Sequence, residues 1–209
     1  MSKPLITILG AGESGLGAAL LAHVHGYEVF VSDNGSIKEV HKQELNRHQI
    51  AFEEGGHRNE KIWQSNTLIK SPGIPDDASV IARAQQNNIK VIGELEFAFG
   101  YAGQSRMIVI TGTNGKTTTT LLIHHLLTRC GLDAGLAGNV GKSLARQILE
   151  RKHSLYVIEA SSFQLDNMKE FRADTAILLN ITPDHLDRYQ YSFANYTASK
   201  FGILRNMDK

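Results

Sequence analysis

The most chemically suggestive stretch of the sequence is MIVITGTNGKTTTT, residues 107–120, in which a run of β-branched residues leads into a glycine-rich turn. Backbone N–H groups in such a turn, at the start of a helix, are unpaired and can hold phosphate oxygens. Lys116 would place a positive charge on the outer phosphates, and the Thr117 hydroxyl would ligate a Mg²⁺ ion that bridges them. The pattern predicts a site for a nucleoside triphosphate. The expected contact residues are Gly112, Thr113, Asn114, Gly115, Lys116, Thr117 and Thr118.

This turn is a shortened form of the common P-loop, because Ile110 stands where that pattern has its first glycine. We expect Gly112 to make the tight bend instead. An ordinary strand-to-helix turn with a solvated lysine is the alternative. The order of strand, two glycines, Lys-Thr and helix favours phosphate binding over that alternative.

A second glycine motif, GAGESG, follows an apolar stretch near the start of the chain, where Gly10, Gly12 and Gly15 fit the pattern G-x-G-x-x-G. Asp33 ends the next predicted strand, a position from which an acidic side chain can meet a ribose. The motif requires only a diphosphate at a helix N-terminus and a polar group for the attached nucleoside. A dinucleotide and a UDP-sugar both satisfy it, and a purely structural turn is the remaining alternative.

Other polar residues follow predicted strands and are expected at the edge of a parallel sheet where ligands gather. Glu159 ends the apolar stretch LYVIE, and a carboxylate there is placed to hold Mg²⁺ directly or through water. His185 closes NITPDH, although an isolated histidine of this kind is more often structural. The segment SPGIP, residues 71–75, follows another predicted strand and is expected to line the same edge, although it could be a simple turn closed by prolines. The further candidates along this edge are Ser71, Gly73, Asn139, Ser161 and Gln164.

Lys200 shares the apolar stripe of the last predicted helix, because it lies four residues after Tyr196 and three before Ile203. A lysine in that position either extends its ammonium group outward to water or loses its proton, since burial lowers a lysine pKa. A neutral amine can add carbon dioxide and become an anionic carbamate that helps to bind a cation. From the pattern alone, the outward ammonium is the default interpretation.

Strands and helices alternate along the chain, which predicts an α/β fold with mainly parallel sheets and helices on both faces. Two units are expected, with their junction near residues 99–106. Strands are predicted at residues 5–10, 27–33, 67–70, near 91, 107–111, 135–137, 155–159 and 175–180, and helices at residues 14–25, 37–49, 77–88, 116–129, 142–152 and 193–207.

The amino-acid composition limits the classes of binding partner and the cellular compartment that we expect for this protein. The 209 residues include 22 Lys and Arg against 21 Asp and Glu, so the charge gives no reason to expect a nucleic acid or a membrane as a partner. No apolar run approaches the length of a membrane span, and the first residues lack the basic region and apolar core of a secretory signal, so we expect none. The single cysteine, Cys130, excludes an internal disulfide, fits a reducing cytoplasm and is expected to be buried.

Seven features, taken in order, resemble the motifs of the Mur ligase family, and they extend from about residue 5 to the end of the chain. They are GAGESG, SPGI, TGTNGKTT, GNVG, EASSFQL, NITPDHLDRY and Lys200. The resemblance implies a Rossmann-like UDP-substrate domain at residues 1–98 and the first part of a P-loop-type, ATP-binding central domain at residues 99–209. It also implies ATP-driven amide synthesis in peptidoglycan precursor assembly. The carboxylate of UDP-N-acetylmuramoyl-L-alanine would be phosphorylated, and the amine of D-glutamate would then displace phosphate.

The resemblance implies roles for individual residues. Lys116, His185 and Lys200 would be catalytic, with ATP and Mg²⁺ as cofactors. It makes the carbamate the preferred state of Lys200, and Asn34 stands where the family often has Thr. The implied metal ligands are Thr117, Glu159, His185 and the Lys200 carbamate. The implied UDP-substrate contacts are Gly12, Glu13, Ser14, Asp33, Asn34, Ser71, Gly73, Asn139, Ser161 and Gln164.

The family has a longer central domain and a third, Rossmann-like domain, so these 209 residues are expected to be a fragment. We expect the fragment to bind the UDP-linked substrate no more than weakly and to lack ligase activity by itself. We also expect it to self-associate through an unpaired sheet edge or through apolar helix faces. Three alternatives remain. They are an NAD-dependent oxidoreductase, suggested by GAGESG and Asp33, a non-catalytic nucleotide-binding module, and a folylpolyglutamate synthetase, which would not be expected to begin with this first domain.

Overall fold

The computed structural model describes residues 3–207, which contain nine β-strands and eight α-helices. The strands are β1 Leu5–Leu9, β2 Glu28–Ser32, β3 Ala51–Glu53, β4 Thr67–Lys70, β5 Lys90–Gly93, β6 Arg106–Thr111, β7 Ala134–Gly138, β8 Leu155–Glu159 and β9 Thr175–Leu178. The α-helices are α1 Glu13–Val24, α2 Glu39–Arg47, α3 Ser79–Gln86, α4 Glu94–Ala102, α5 Lys116–Arg129, α6 Leu144–Glu150, α7 Ser162–Asp166 and α8 Phe193–Phe201. Short 3₁₀ helices are Glu60–Ile62, Leu186–Tyr189 and Gly202–Leu204.

The first unit is a five-stranded sheet with the order β3-β2-β1-β4-β5, and every pairing in it is parallel. Its central strand β1 reads LITIL and is buried along its whole length, as expected for a strand covered on both faces. The chain turns away from β1 into α1 at Gly10, Ala11 and Gly12. The motif GAGESG therefore lies at the carboxyl edge of the sheet, as the sequence predicted.

The second unit is a four-stranded parallel sheet with the order β7-β8-β6-β9. The strand that leads into the phosphate-binding pattern, β6, lies between β8 and β9. Glu159 at the end of β8 and the segment that follows β9 therefore flank the glycine-rich turn on its two sides. The predicted α/β fold with parallel sheets is confirmed.

The connection between the sheets differs from the expected loop. The helix α4 follows β5 directly, so the expected junction at residues 99–106 begins inside a helix that the sequence did not predict. The domain boundary proposed between residues 98 and 99 also lies within α4. Residues of α4 are buried in the same apolar cluster as α1 and α6, so this helix ties the two sheets together.

The two units share a packed interface between α1 and α6. A Cβ atom at Gly17 of α1 would lie 2.2 Å from the Ser143 hydroxyl oxygen, so the close approach of these helices requires glycine. Arg146 of α6 donates to Glu44 of α2, with Nη2 and Oε2 3.0 Å apart. The cleft between the carboxyl edges of the sheets is held by these contacts.

Several element predictions need correction. The last α-helix ends at Phe201 rather than at residue 207, and the chain continues as the 3₁₀ turn Gly202–Leu204. The short elements β3 and α7 were not predicted. Cys130 is exposed rather than buried, because it lies at the C-terminal end of α5 on a helix whose outer side faces solvent. Among the described residues, no helix is long and apolar enough to cross a membrane.

Candidate functional site

A cavity of about 370 Å³ lies between the two units at the carboxyl edges of their strands. Pro72 and Gly73, which follow β4, form one wall, and residues after β6, β7, β8 and β9 form the rest. Four strand ends of the second unit thus meet one strand end of the first. The predicted site residues that line this cavity are Gly73, Lys116, Asn139, Ser161, His185 and Lys200.

The glycine-rich turn begins the cavity wall and adopts a backbone that only glycine allows easily. Gly112 has φ +152° and Gly115 has φ +83°. A Cβ atom at Gly112 would also lie 3.1 Å from the Leu179 Cβ atom and 3.3 Å from the Asn180 backbone nitrogen. The turn therefore passes very close to the segment after β9, which explains why glycine stands at residue 112.

Asn180 and Thr182, which are not among the predicted site residues, fix the shape of this turn. The Thr113 N–H donates to the Asn180 carbonyl at 3.0 Å, and the Asn114 N–H donates to the Asn180 Oδ1 atom at 2.9 Å. The Asn180 Nδ2 atom donates back to the Asn114 carbonyl at 3.0 Å. The Thr113 hydroxyl donates to the Thr182 carbonyl at 3.0 Å. The only sequence signal for this bracing was an Asn-Ile-Thr run directly after an apolar strand.

Lys116 is the first residue of α5, and its Nζ atom donates to the Thr113 carbonyl at 2.8 Å. The ammonium group therefore lies against its own turn. Thr117 and Thr118, in the first turn of α5, are exposed, so their hydroxyl groups are accessible at the helix N-terminus. This arrangement provides free backbone N–H groups, one cation and two hydroxyl groups at the place where phosphate binding was predicted.

Lys200 does not extend outward to water, so the default interpretation of this residue was wrong. Its side chain is only 2% exposed, and its Nζ atom donates to the Gly112 carbonyl at 2.8 Å and to the Thr111 hydroxyl at 3.3 Å. Burial, followed by the charge of Lys116, lowers the pKa of Lys200 to about 8, although nearby carboxylates act in the opposite direction. The apolar stripe of α8 predicted burial, and the backbone of the turn supplies the hydrogen-bond partners.

Glu159 is a buried carboxylate with one satisfied and one unsatisfied oxygen. The Oε1 atom accepts a hydrogen bond from the Asn139 Nδ2 atom at 2.9 Å. The Oε2 atom is buried and has no hydrogen-bond partner within residues 3–207. A buried anionic oxygen without a donor is costly, and a bound cation would satisfy it.

His185 and its neighbours form the outer rim of the cavity. The His185 backbone has φ +48°, its side chain is largely exposed, and its ring centroid lies 5.4 Å from that of Phe163. Arg188 stacks over the same Phe163 ring, and its Nη1 atom donates to the Gly73 carbonyl at 3.3 Å. This contact links the rim of the second unit to the SPGIP loop of the first. Within the described chain, no group of three or more His, Cys, Asp and Glu side chains is arranged around a metal position.

The glycine turn of the first unit is stabilised by Asp33. One carboxylate oxygen of Asp33 accepts from the Ala11 N–H at 2.7 Å, and the other accepts from the Gly35 N–H at 2.8 Å. The carboxylate predicted to meet a ribose therefore already joins two loops. The Ser71 hydroxyl donates to the Gly10 carbonyl at 3.4 Å, which brings the loop after β4 to the same turn.

The remaining predicted residues of the first unit lie outside the central cavity. Gly12 is the exposed N-cap of α1, and Ser14 is half-buried in the first turn of that helix. Glu13 points toward the second unit, since its Oε1 atom accepts from the Ser143 backbone N–H at 3.3 Å. Asn34 is exposed and lines a separate cavity beside α3.

Ser161 and Gln164 form a capping box at the start of α7. The Ser161 hydroxyl accepts from the Gln164 N–H at 3.3 Å, and the Gln164 Oε1 atom accepts from the Ser161 N–H at 2.9 Å. The pattern S-x-x-Q is the sequence signal for this cap. Both side chains thus have a structural task at the position where substrate contact was predicted.

Both units of the chain match known protein families. A model of the MurD N-terminal domain matches residues 5–80, and a model of the Mur ligase middle domain matches residues 110–209. The UDP-N-acetylmuramoylalanine–D-glutamate ligase of Bacteroides fragilis is 56% identical over 201 residues, which is 96% of this chain and 45% of that protein. The protein of the same name from Cytophaga hutchinsonii is 55% identical over 97% of this chain and 45% of its own length.

Two solved structures share the fold. The UDP-N-acetylmuramate:L-alanyl-gamma-D-glutamyl-meso-diaminopimelate ligase from Neisseria meningitides matches with a TM-score of 0.68 and 20% identity, over 99% of this chain and 69% of that one. The UDP-N-acetylmuramate-alanine ligase MurC from Thermotoga maritima matches with a TM-score of 0.62 and 22% identity, over 98% of this chain and 47% of that one. The chain spans less than half the length of the curated relatives it matches. It belongs to the Mur ligase family, as a MurD N-terminal domain joined to a Mur ligase middle domain.

Proposed function

We propose that this chain is the part of a UDP-N-acetylmuramoyl-L-alanine:D-glutamate ligase that holds the UDP-linked substrate and the triphosphate of ATP. One observation carries this proposal: the cavity between the sheets joins the Lys116 turn, the Lys200 amine and the loop after β4 of the first unit. A substrate bound at the first unit would therefore meet a nucleotide bound at the second. The similarity to curated ligases of that name supports the choice of substrate.

The residues present fit a Mg²⁺ ion. Glu159 offers a buried oxygen with no donor, and Thr117 offers an exposed hydroxyl at the start of α5. Mg²⁺ is usually held by one or two protein oxygens together with phosphate oxygens and water, so a larger cluster of carboxylates is not required. When bound, the ion would offset the negative charge of the phosphates. His185, at the outer rim of the cavity, is a further proposed metal ligand.

The protein side chains have clear tasks in the proposed reaction. The carboxylate of UDP-N-acetylmuramoyl-L-alanine must approach the outer phosphate of ATP, and the two anions repel each other. Lys116 and the free N–H groups of the turn would offset that repulsion and hold the phosphate in line. The amine of D-glutamate would then attack the acyl phosphate and release phosphate. Gly73 and Arg188, which join the two units across the rim, would restrict the access of water.

Lys200 is proposed to act as a carbamate. Because its pKa is lowered to about 8, roughly a tenth of its amine is neutral at pH 7, and only the neutral amine adds carbon dioxide. We expect ¹³C-labelled bicarbonate to give a carbamate carbonyl signal in the protein that Lys200→Arg lacks. A spectrum identical for the two proteins would exclude carbamylation of Lys200 in this chain.

The oxidoreductase alternative leaves Lys116, Glu159 and His185 without a role. The contacts of Asp33 do not distinguish the two ligands, because each carboxylate oxygen accepts one backbone N–H and keeps a lone pair for a ribose hydroxyl. The reaction is proposed to take place in the cytoplasm, where ATP is consumed and the exposed thiol of Cys130 stays reduced. The absence of turnover by these 209 residues alone stays a prediction.

The proposed function is tested by calorimetry with the 209-residue protein. We expect UDP-N-acetylmuramoyl-L-alanine and Mg·ATP to bind at separate sites, each at one equivalent, and NAD not to bind. Lys116→Ala should abolish ATP binding and leave binding of the UDP-linked substrate unchanged. Binding of NAD with no binding of either predicted ligand would overturn the proposal.

A further inference from the structure

A second cavity, of about 330 Å³, opens beside the loop that follows β2, on the α3 side of the first sheet. It lies next to the glycine turn at the start of α1, because the Asp33 carboxylate in the same loop accepts from the Ala11 N–H. A nucleoside attached to a diphosphate at that turn would reach this cavity. Its lining residues are Asn34, His57, Trp63, Ser79, Val80 and Arg83.

The hydrogen bonds of His57 determine which of its ring nitrogens carries the proton. The Ser32 hydroxyl lies 2.7 Å from the Glu53 Oε1 atom and 2.7 Å from the His57 Nδ1 atom. The hydroxyl has one proton, and an ionised carboxylate can only accept, so that proton goes to Glu53. The His57 Nδ1 atom must then be the donor to Ser32. A neutral His57 consequently has an unprotonated Nε2 atom, which is a hydrogen-bond acceptor.

The neutral state of His57 follows from its surroundings. Burial lowers the pKa of His57, and this effect exceeds the opposing charges of Glu53 and Asp33. No hydrogen bond to the Nε2 atom is present within residues 3–207. The acceptor at Nε2 is thus fixed by the protein and open to a ligand.

Donor groups accompany this acceptor in the cavity wall. Arg83 stacks on Trp63, with its Cζ atom 3.8 Å from the ring centroid, so the guanidinium plane is held in one orientation. The Asn34 amide offers a further donor, and in the described part of the chain neither Asn34 nor Arg83 has a side-chain hydrogen bond. An acceptor that shares a cavity wall with donors has the groups needed for the imide edge of uracil, which presents an acceptor oxygen, the N3–H donor and a second acceptor oxygen. The corresponding edge of cytosine has an unprotonated N3 and an amino group, so it would oppose the His57 acceptor.

We propose that His57 selects the uracil base of the UDP-linked substrate, by accepting a hydrogen bond from N3–H at its Nε2 atom. This role rests on the proposed function, because it assumes that a UDP-linked ligand binds the first unit. Ser32 and Glu53 act as positioning residues that hold His57 in the required tautomer. The expected ligand class is a uridine nucleotide, and the base rather than the diphosphate is the part that His57 recognises.

The test compares UDP with CDP by calorimetry on the wild-type chain and on His57→Asn. The Asn amide can occupy the place of Nδ1 and donate to Ser32, but it has no atom at the Nε2 position. We expect wild type to bind UDP about tenfold more tightly than CDP, as for one mismatched hydrogen bond, and His57→Asn to reduce that ratio to about threefold or less. His23→Asn, an exposed histidine near the end of α1, is the matched control and should keep the wild-type ratio.

A second measurement on the wild-type protein does not depend on the folding of any variant. The ¹⁵N spectrum of His57 at neutral pH should show a neutral ring protonated at Nδ1, and UDP should shift its Nε2 resonance. A ring protonated at Nε2, or a UDP/CDP ratio that His57→Asn leaves unchanged, would overturn the role of His57 while leaving the proposed function intact. If the wild-type chain binds no uridine nucleotide at all, the UDP-binding part of the proposed function fails with it.

Discussion

Replacing Glu94 by Gln should remove a pH-dependent loss of stability that is built into the contact between the two units. Glu94 begins α4 and is 3% exposed. Its Oε1 atom accepts from the Ala145 N–H of α6 at 2.7 Å, while its Oε2 atom is buried without a partner in the described structure. Burial raises the pKa of Glu94 from 4.5 to about 7, the Ala145 N–H opposes this rise, and the charge of Glu13 adds to it.

The size and sign of the effect follow from this pKa. Below pH 4.5 the carboxyl is protonated in both the folded and the unfolded chain, so it causes no loss. As the pH rises from 4.5 toward 7, the unfolded chain loses the proton and the folded chain keeps it, so the free energy of unfolding decreases. Above pH 7 the loss is complete and amounts to about 3 kcal/mol, at ~1.4 kcal/mol for each pKa unit. Gln resembles the protonated acid and does not titrate.

Urea denaturation of wild type and Glu94→Gln at several values between pH 5 and pH 8.5 measures this difference. We expect the stability of the variant relative to wild type to increase by about 2–3 kcal/mol across that range, because most of the titration lies within it. Glu39→Gln, on the exposed side of α2, is the matched control and should follow wild type at every pH. Parallel curves for wild type and Glu94→Gln would show that Glu94 is ionised at neutral pH and would refute the assignment.

Three further predictions concern the second unit. Mg·ATP should raise the melting temperature of wild type, and Lys116→Ala should abolish this increase. The exposed control Lys152→Ala should keep the increase. An equal increase in Lys116→Ala and wild type would exclude Lys116 from phosphate binding. Gly112→Ala should lower the free energy of unfolding, measured by urea denaturation, by about 1–3 kcal/mol and weaken ATP binding, because the methyl group contacts Leu179. Gly131 also has a positive φ but lies in open space, so Gly131→Ala should lower that free energy by about 1 kcal/mol and leave ATP binding unchanged. Wild type is expected to associate as its concentration increases, and sedimentation measures this association. Leu122 is 54% exposed on α5, so Leu122→Glu should reduce the association. A wild-type protein that stays monomeric at all concentrations would contradict the expected self-association.

The two sheets could be predicted from the sequence, but the helix that connects them could not. Apolar runs such as LITIL and LYVIE are typical of strands buried on both faces, and the glycine motifs after them marked the two strand-to-helix turns. The helix α4 gave no comparable signal, since ELEFAFGYA is apolar on several sides and starts without a capping side chain. The strand β3 has three residues, which is too short for a period-two pattern to be recognised.

Within the site, local motifs were predictable and contacts between distant segments were not. The turn at Lys116 was found because its spacing has a known physical purpose. The bracing of that turn by Asn180 and Thr182 depends on β9 lying beside β6, and no residue near Lys116 in sequence encodes that neighbour. The same limit applies to Asp33, whose carboxylate could be placed at a strand end but not on the Ala11 N–H.

The two lysines of the phosphate turn explain why a carbamate would suit this site. Lys116 Nζ binds the carbonyl of Thr113 and Lys200 Nζ binds the carbonyl of Gly112, so two amines contact adjacent residues of one turn. As ammonium groups they repel each other, and this repulsion contributes to the lowered pKa of Lys200. Carbamylation would replace the second cation by an anion, turning the repulsion into attraction and adding an anionic oxygen ligand to the site. Lys116 would then remain the cation that meets the phosphates.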